Sequence, residues 1–179
     1  MIKERKLALK CLAVADIIEI ETKPFSKKLF FDENNPIKCD SLWSWPAGCA
    51  FDNWIFKDIP NIAPAFKGIL LKTLKTRLRD RIYDTEILDE LGNPKLFTIK
   101  EFFAIISCLL YRQFKGQNGI LLNDGSNNIF HFKLKDRNLA AHLRWYPEAH
   151  NWGFGVGEFA TKLSNGYRPD GKCAIFSRC

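Results

Sequence analysis

Cys49 lies in a local sequence that could activate its thiol as a nucleophile. It follows Pro46 and Gly48, at the start of a short helix that the pattern predicts over 50–56. The unpaired N–H groups of a helix N-terminus stabilise a thiolate, and they can bind the oxyanion that forms when the thiolate attacks a carbonyl. Such a nucleophile also needs a base and a group that orients the base.

The histidines supply candidates for the base. His131, His142 and His150 all lie in a region rich in strands and turns. If segments 128–135 and 139–146 pair through a turn at 136–138, His131 and His142 lie directly opposite each other or one residue apart. One imidazole could then act as general base while the other orients it.

This order of a cysteine entering a helix, a histidine on a later strand and a polar residue on the next strand resembles the papain-like cysteine hydrolases. The bacterial cell-wall amidase and peptidase branch, with its Cys-His-His arrangement, is the most similar in chain order. The resemblance implies that Cys49 is the nucleophile, His131 the general base and His142 the orienting group.

A second stretch suggests another orienting group. Asn151-Trp152-Gly153 is similar to the Asn-x-Trp-Gly stretch of papain, which would give that role to Asn151. The sequence differs from papain in two respects. Ser44 and Trp45 occupy the place of the glutamine in papain's oxyanion hole, and one residue is missing between Asn151 and Trp152.

No metal and no cofactor are predicted. The three histidines, with Glu148 or Glu158 nearby, match no compact metal-binding motif, and the six cysteines form no C-x-x-C pair. The glycines of 153–157 lack the preceding strand and following helix of a nucleotide fingerprint.

The elements that would position these residues change in character along the chain. Residues 2–19 and 65–82 have spacings that predict helices, and 84–91 predicts a short one. Thr98 and Glu101 form a capping box that opens an apolar helix to about residue 114. Five short segments, 119–122, 128–135, 139–146, 152–159 and 173–177, are typical of strands. We therefore predict a single α+β domain over 1–179, with an N-terminal helical half (1–115) packed on a C-terminal antiparallel meander of about five strands (116–179).

The alternative is an interaction module with no chemistry of its own. The net charge is +7, and a basic block falls within 61–82. A tryptophan-rich loop and one side of the predicted helix 65–82 would make the contacts, to a protein or to nucleic acid. The candidate binding residues are Trp43, Trp45, Trp54, Lys72, Lys75 and Arg79.

The composition and the apolar segments indicate where in the cell the protein is expected and which substrate a hydrolase of this kind would take. A hydrophobic content of 46% excludes disorder throughout the chain. The longest apolar run, 102–110, is too short to cross a bilayer, and no export signal is convincing. We expect reduced thiols and a cytoplasmic protein, or one exported by a signal-independent route. For a hydrolase, the substrate would be a peptide or a peptidoglycan-like polymer, and a basic surface suits an anionic one.

Overall fold

The computed structural model describes residues 12–30, 56–76, 83–159 and 173–179. Strand makes up 43% and helix 23% of this part of the chain. The strands are β1 (Leu12–Ile20), β2 (Phe25–Ser26), β3 (Ile62–Ala63), β4 (Ile69–Thr76), β5 (Phe97–Thr98), β6 (Asn127–Leu134), β7 (Arg137–Tyr146), β8 (Asn151–Glu158) and β9 (Cys173–Arg178). The helices are α1 (Lys27–Phe30), α2 (Asp84–Glu90) and α3 (Ile99–Arg112), with a 3₁₀ turn at Phe56–Asp58.

One mixed sheet of seven strands organises the fold. Its order is β1-β4-β9-β6-β7-β8, and β5 pairs with β6 beyond the end of β9. The two pairings β6–β9 and β5–β6 are parallel, and the other pairings are antiparallel. β2 and β3 form a separate two-stranded sheet.

The predicted fold class is therefore wrong. The helices predicted over 2–19 and 65–82 are contradicted by strands β1 and β4, which belong to the same sheet as the C-terminal strands. The C-terminal strands do not form a five-stranded meander either. β6, β7 and β8 follow one another, but β9 returns to lie between β4 and β6, so sheet pairing joins both halves of the chain.

One face of the large sheet packs on α3, and we call it the α3 face. Phe102 of α3 stacks on Phe132 of β6, with ring centroids 4.4 Å apart. Its neighbour Phe103 packs on Phe25 of β2, at 5.2 Å, and on Phe154 of β8, at 6.3 Å. Because α3 contacts both sheets, eight of its fourteen residues are buried. The prediction of a central apolar helix is confirmed, and so is its capping box, in which Glu101 N–H donates to Thr98 Oγ1 at 3.2 Å.

The opposite face of the sheet is covered in part by α2, and we call it the α2 face. A smaller apolar cluster lies there, which joins Ile87 of α2 to Leu74, Ile129 and Ile175 of three neighbouring strands. The predicted helix at 84–91 is confirmed as α2. Its position over β6 sets the surroundings of the histidines.

Candidate active site

His131 lies on the α2 face of β6 and is buried. It follows Phe130 and precedes Phe132, whose rings point to the α3 face, so strand alternation turns the imidazole toward α2. The residue is only 3% exposed. His131 therefore lies on the opposite side of β6 from the two phenylalanines, and α2 covers this side.

The partner of His131 is Asp84, the first residue of α2. The distance from His131 Nε2 to Asp84 Oδ1 is 2.7 Å, and both side chains are sealed from solvent. The ring of Phe159 stands edge-on to the imidazole, with centroids 5.1 Å apart. An ionised carboxylate only accepts hydrogen bonds, so Nε2 carries the proton that it donates to Asp84. Nδ1 is then the nitrogen that can accept another proton.

His142 shares the α2 face with His131 but is not directly opposite it. The β6–β7 register pairs His131 with Ala140 and His142 with Ile129, so the two histidines are diagonal neighbours. The predicted turn at 136–138 is wrong. The chain turns at Lys135 and Asp136, with Lys135 in a left-handed conformation (φ 57°), and this tight turn shifts the register.

His142 is an uncharged imidazole at neutral pH. The residue as a whole is half-buried, while its Nδ1 is sealed from solvent. Burial lowers the pKa of His142 to about 4; the negative charge of Asp84 opposes this shift and the neighbouring His131 adds to it. The three groups therefore interact electrostatically on one face of the sheet.

A small pocket next to the sheet is lined in part by His131. Its lining includes Ser177 and Arg178 of β9, Lys95 and Phe97 at the entry to β5, and His131 itself. The free volume is about 10 Å³, room for about one water molecule. The candidate base thus borders a cavity even though its ring is largely covered.

Asn151 is not brought to His131. It pairs with Tyr146 on the α2 face, whereas His142 pairs with Gly155 four residues further along β8. At roughly 3.3 Å per strand residue, this separates Asn151 from the level of His142 by about 13 Å. Asp84 occupies the place beside His131 that the sequence analysis gave to Asn151 or His142.

Several predicted site residues lie outside the described residues: Cys49, Trp43, Trp45, Trp54 and Arg79. Lys72 and Lys75 are described, on β4. They lie an odd number of residues apart on a strand, so they point to opposite faces of the sheet. The prediction that Lys72 and Lys75 share one side of a helix with Arg79 is therefore wrong at these two positions.

Asp84 and Ser177 were not predicted from the sequence. Asp84 carried only a local signal, an acidic residue at the start of a predicted helix, which by itself indicates capping. Ser177 lies on β9, the strand between β4 and β6 in the sheet. The contact of Asp84 with His131, and the place of Ser177 in the pocket that His131 borders, depend on long-range packing, for which one sequence carries no signal.

The described residues contain no group of three or more His, Cys, Asp or Glu side chains that could hold a metal ion. None of their helices is long and apolar enough to span a membrane. No protein-family model, no curated protein and no solved structure matches the chain. The functional argument therefore depends on the geometry of the residues themselves.

Proposed function

We propose that the chain is a cysteine hydrolase that cleaves amide or peptide bonds, with Cys49 as nucleophile, His131 as general base and Asp84 as the group that orients the base. The observation that supports this proposal is the buried 2.7 Å contact between His131 and Asp84. A thiol nucleophile requires an imidazole held in one tautomer by a polar partner, and this pair supplies both parts.

The chemistry assigns one role to each group. Nδ1 of His131 accepts the proton of the Cys49 thiol, and the thiolate attacks the carbonyl carbon of the substrate. The tetrahedral intermediate collapses to a thioester, and the departing amine takes the proton back from the imidazolium. A water molecule, deprotonated by the same Nδ1, then hydrolyses the thioester and regenerates the thiol. Asp84 stays ionised and stabilises the imidazolium in both halves of the reaction.

The proposed substrate is a peptide or a peptidoglycan-like polymer. The net charge of +7 favours the approach of an anionic chain.

The test is the rate at which iodoacetamide alkylates each thiol of the folded protein at pH 7, followed by peptide mapping. Cys179 is exposed and serves as the reference for an ordinary thiol, and Cys173 is buried and reports that the fold is intact. Because the thiolate is the reactive form, we expect Cys49 to react at least about tenfold faster than Cys179. We expect His131→Ala to remove this advantage while Cys173 stays protected.

The matched control for His131→Ala is His150→Ala, a change at an exposed histidine in the turn between β7 and β8. It should leave the alkylation of Cys49 unchanged. If Cys49 reacts no faster than Cys179 in the unmodified protein, or if both histidine variants behave alike, the proposal fails.

A further inference from the structure

The pocket beside His131 forms where β6 changes its neighbour. β9 pairs with β6 as far as Phe130, and β5 pairs with it from Phe132. His131 lies between these two pairings, and Ser177 directly follows the last residue of β9 that pairs with β6. Both residues line the pocket. The pocket is therefore bordered by the candidate base and by a hydroxyl group of the neighbouring strand.

The charged groups next to this pocket are already paired. The guanidinium of Arg178 is ion-paired with Glu101, and the imidazole of His131 is hydrogen-bonded to the carboxylate of Asp84. Lys95, which also lines the pocket, is exposed to solvent. Among the described residues, the lining therefore carries no unpaired charge in its interior, and this suits a neutral ligand.

Two polar atoms of the lining residues keep hydrogen-bonding capacity that the described part of the chain does not use. Nε2 of His131 donates to Asp84 at 2.7 Å, so Nδ1 is an acceptor, and none of the described residues donates to it. Ser177 Oγ donates its proton to the carbonyl oxygen of Arg178 at 3.3 Å, but the oxygen can still accept. His131 is 3% and Ser177 6% exposed. Buried acceptors of this kind are usually bonded to ordered water in proteins.

The size of the pocket matches a single water molecule. Its free volume is about 10 Å³, enough for about one water molecule and too little for a larger ligand. A buried water molecule typically makes two to four hydrogen bonds. It has two protons to donate, one for Nδ1 of His131 and one for Oγ of Ser177.

We propose that this pocket binds one ordered water molecule, held by His131 Nδ1 and Ser177 Oγ, and that this water hydrolyses the thioester. The inference rests on the proposed function, because it uses Cys49 as the nucleophile and His131 as the base. The thiol and the water compete for Nδ1 until the sulfur is acylated. An acylated sulfur has no proton to donate, so Nδ1 is then left to the water. Ser177 is a positioning residue, since it acts through the water.

Hydrolysis uses Nδ1 of His131 first as a base and then as an acid. Nδ1 takes one proton from the water while the water oxygen attacks the carbonyl carbon of the thioester. The C–S bond breaks when the tetrahedral intermediate collapses, and the product leaves as a carboxylic acid. The imidazolium returns the proton to the departing thiolate, which regenerates the thiol of Cys49.

The first test is a high-resolution crystal structure of the Cys49→Ala protein, in which no thiol competes for Nδ1. We expect one water molecule about 2.7–3.2 Å from both His131 Nδ1 and Ser177 Oγ. The additional change Ser177→Val should displace it, because a methyl group takes the place of the hydroxyl. A pocket without this water, or a water that stays in place in the Ser177→Val variant, would overturn the inference.

The second test separates acylation from hydrolysis with the p-nitrophenyl ester of N-acetyl-alanine. Acylation of Cys49 releases nitrophenolate in a burst, and hydrolysis of the acyl-enzyme sets the steady rate that follows. We expect Ser177→Ala to retain the burst rate and to lower the steady rate by about three- to tenfold, because the water loses one hydrogen bond. Ser177→Thr keeps the hydroxyl and should restore the steady rate.

The matched control is Ser126→Ala, at a half-buried serine before the start of β6, which should change neither rate. Equal losses of both rates in Ser177→Ala, or no loss of either, would overturn the inference. A protein that holds the water but shows no burst would contradict the proposed function. A burst in a protein without the water would contradict this inference alone.

Discussion

At the scale of single residues, the contact between Asp84 and His131 is the feature on which both structure and proposed chemistry depend. The removal of either partner leaves the other as a buried polar or charged group without its hydrogen bond. The same pair joins the start of α2 to the middle of the sheet. Its loss should therefore affect stability as well as activity.

We predict that Asp84→Ala lowers the free energy of unfolding by about 1–3 kcal/mol, because the buried N–H of His131 loses its acceptor. Asp89→Ala, which removes an exposed carboxylate from the same helix, should change it by less than about 0.5 kcal/mol. Urea denaturation followed by circular dichroism measures both variants. Similar losses in the two would show that the pair does not anchor α2.

His142 should make stability depend on pH. Its folded pKa of about 4 lies below its ordinary value of 6.5, so the unfolded chain binds more protons between these two pH values. Stability is therefore fully present above about pH 6.5 and is lost as the pH falls toward 4, by about 1–3 kcal/mol.

The measurement is urea denaturation at pH 7 and at pH 5 for three proteins. His142→Gln should show a smaller difference between the two pH values than the unmodified protein, because it removes the group that titrates. His150→Gln should retain the full difference. A His142→Gln protein with an unchanged pH dependence would contradict this account of the buried imidazole.

At the residue scale the sequence predicted part of the site. The sequence predicted that His131 and His142 lie on two neighbouring strands that pair, and β6 and β7 do pair. The register was not predictable, because it depends on Lys135 adopting a left-handed conformation in a two-residue turn. Asp84 was not predictable either, because its contact depends on how α2 crosses the sheet.

At the scale of elements, β4 shows why a spacing of three and four residues is ambiguous. β4 lies between β1 and β9, and both of its faces contact protein. Leu71 is buried on the α3 face and Leu74 on the α2 face. A strand buried on both sides has no strict alternation of polar and apolar residues, so its pattern can match that of a helix. By contrast, α3 was predicted from its cap, which is a local interaction.

At Gly116, which follows α3, both the backbone conformation and the nearby ring of Trp145 disfavour any residue with a side chain. Its φ is +65°, and a Cβ atom there would lie 2.2 Å from the ring of Trp145. Gly92, after α2, has a similar φ of +73°, but a Cβ atom there would meet none of the described residues within 4 Å. The comparison of the two glycines separates backbone strain from overpacking.

We predict that Gly92→Ala lowers the free energy of unfolding by about 1 kcal/mol, through backbone strain alone. Gly116→Ala should lower the free energy of unfolding by about 1–3 kcal/mol more than Gly92→Ala does, since buried Trp145 must move. Urea denaturation of both variants measures the difference. Equal losses would contradict the packing of Trp145 against this turn.

At the scale of the whole molecule, β9 holds the two parts of the large sheet together. It pairs with β4 on one side and with β6 on the other. Ile175 contributes to the cluster on the α2 face, and Phe176 stacks on Phe130 on the α3 face, with centroids 4.4 Å apart. The sequence predicted this strand but not its central position, because pairing between distant segments leaves no local signal.

Deletion of residues 173–179 should therefore abolish cooperative unfolding, because it removes a central strand rather than an edge. Urea denaturation of the truncated chain should give no sharp transition. Addition of a synthetic peptide with the sequence of Cys173–Cys179 should restore it in part, whereas a scrambled peptide should not. A truncated chain that unfolds at nearly the original urea concentration would contradict the observed strand order.

We propose that the thiol of Cys49 lies close to the imidazole of His131 in the folded protein. The most direct measurement attaches a nitroxide spin label to Cys49, in a variant whose other five cysteines are alanine, and records the imidazole NMR signals of the three histidines. We predict that the signals of His131 and His142 broaden and that they recover when the nitroxide is reduced. The signal of His150, in the turn beyond the far end of β7, should broaden least. Unchanged signals from His131 and His142 would contradict the account.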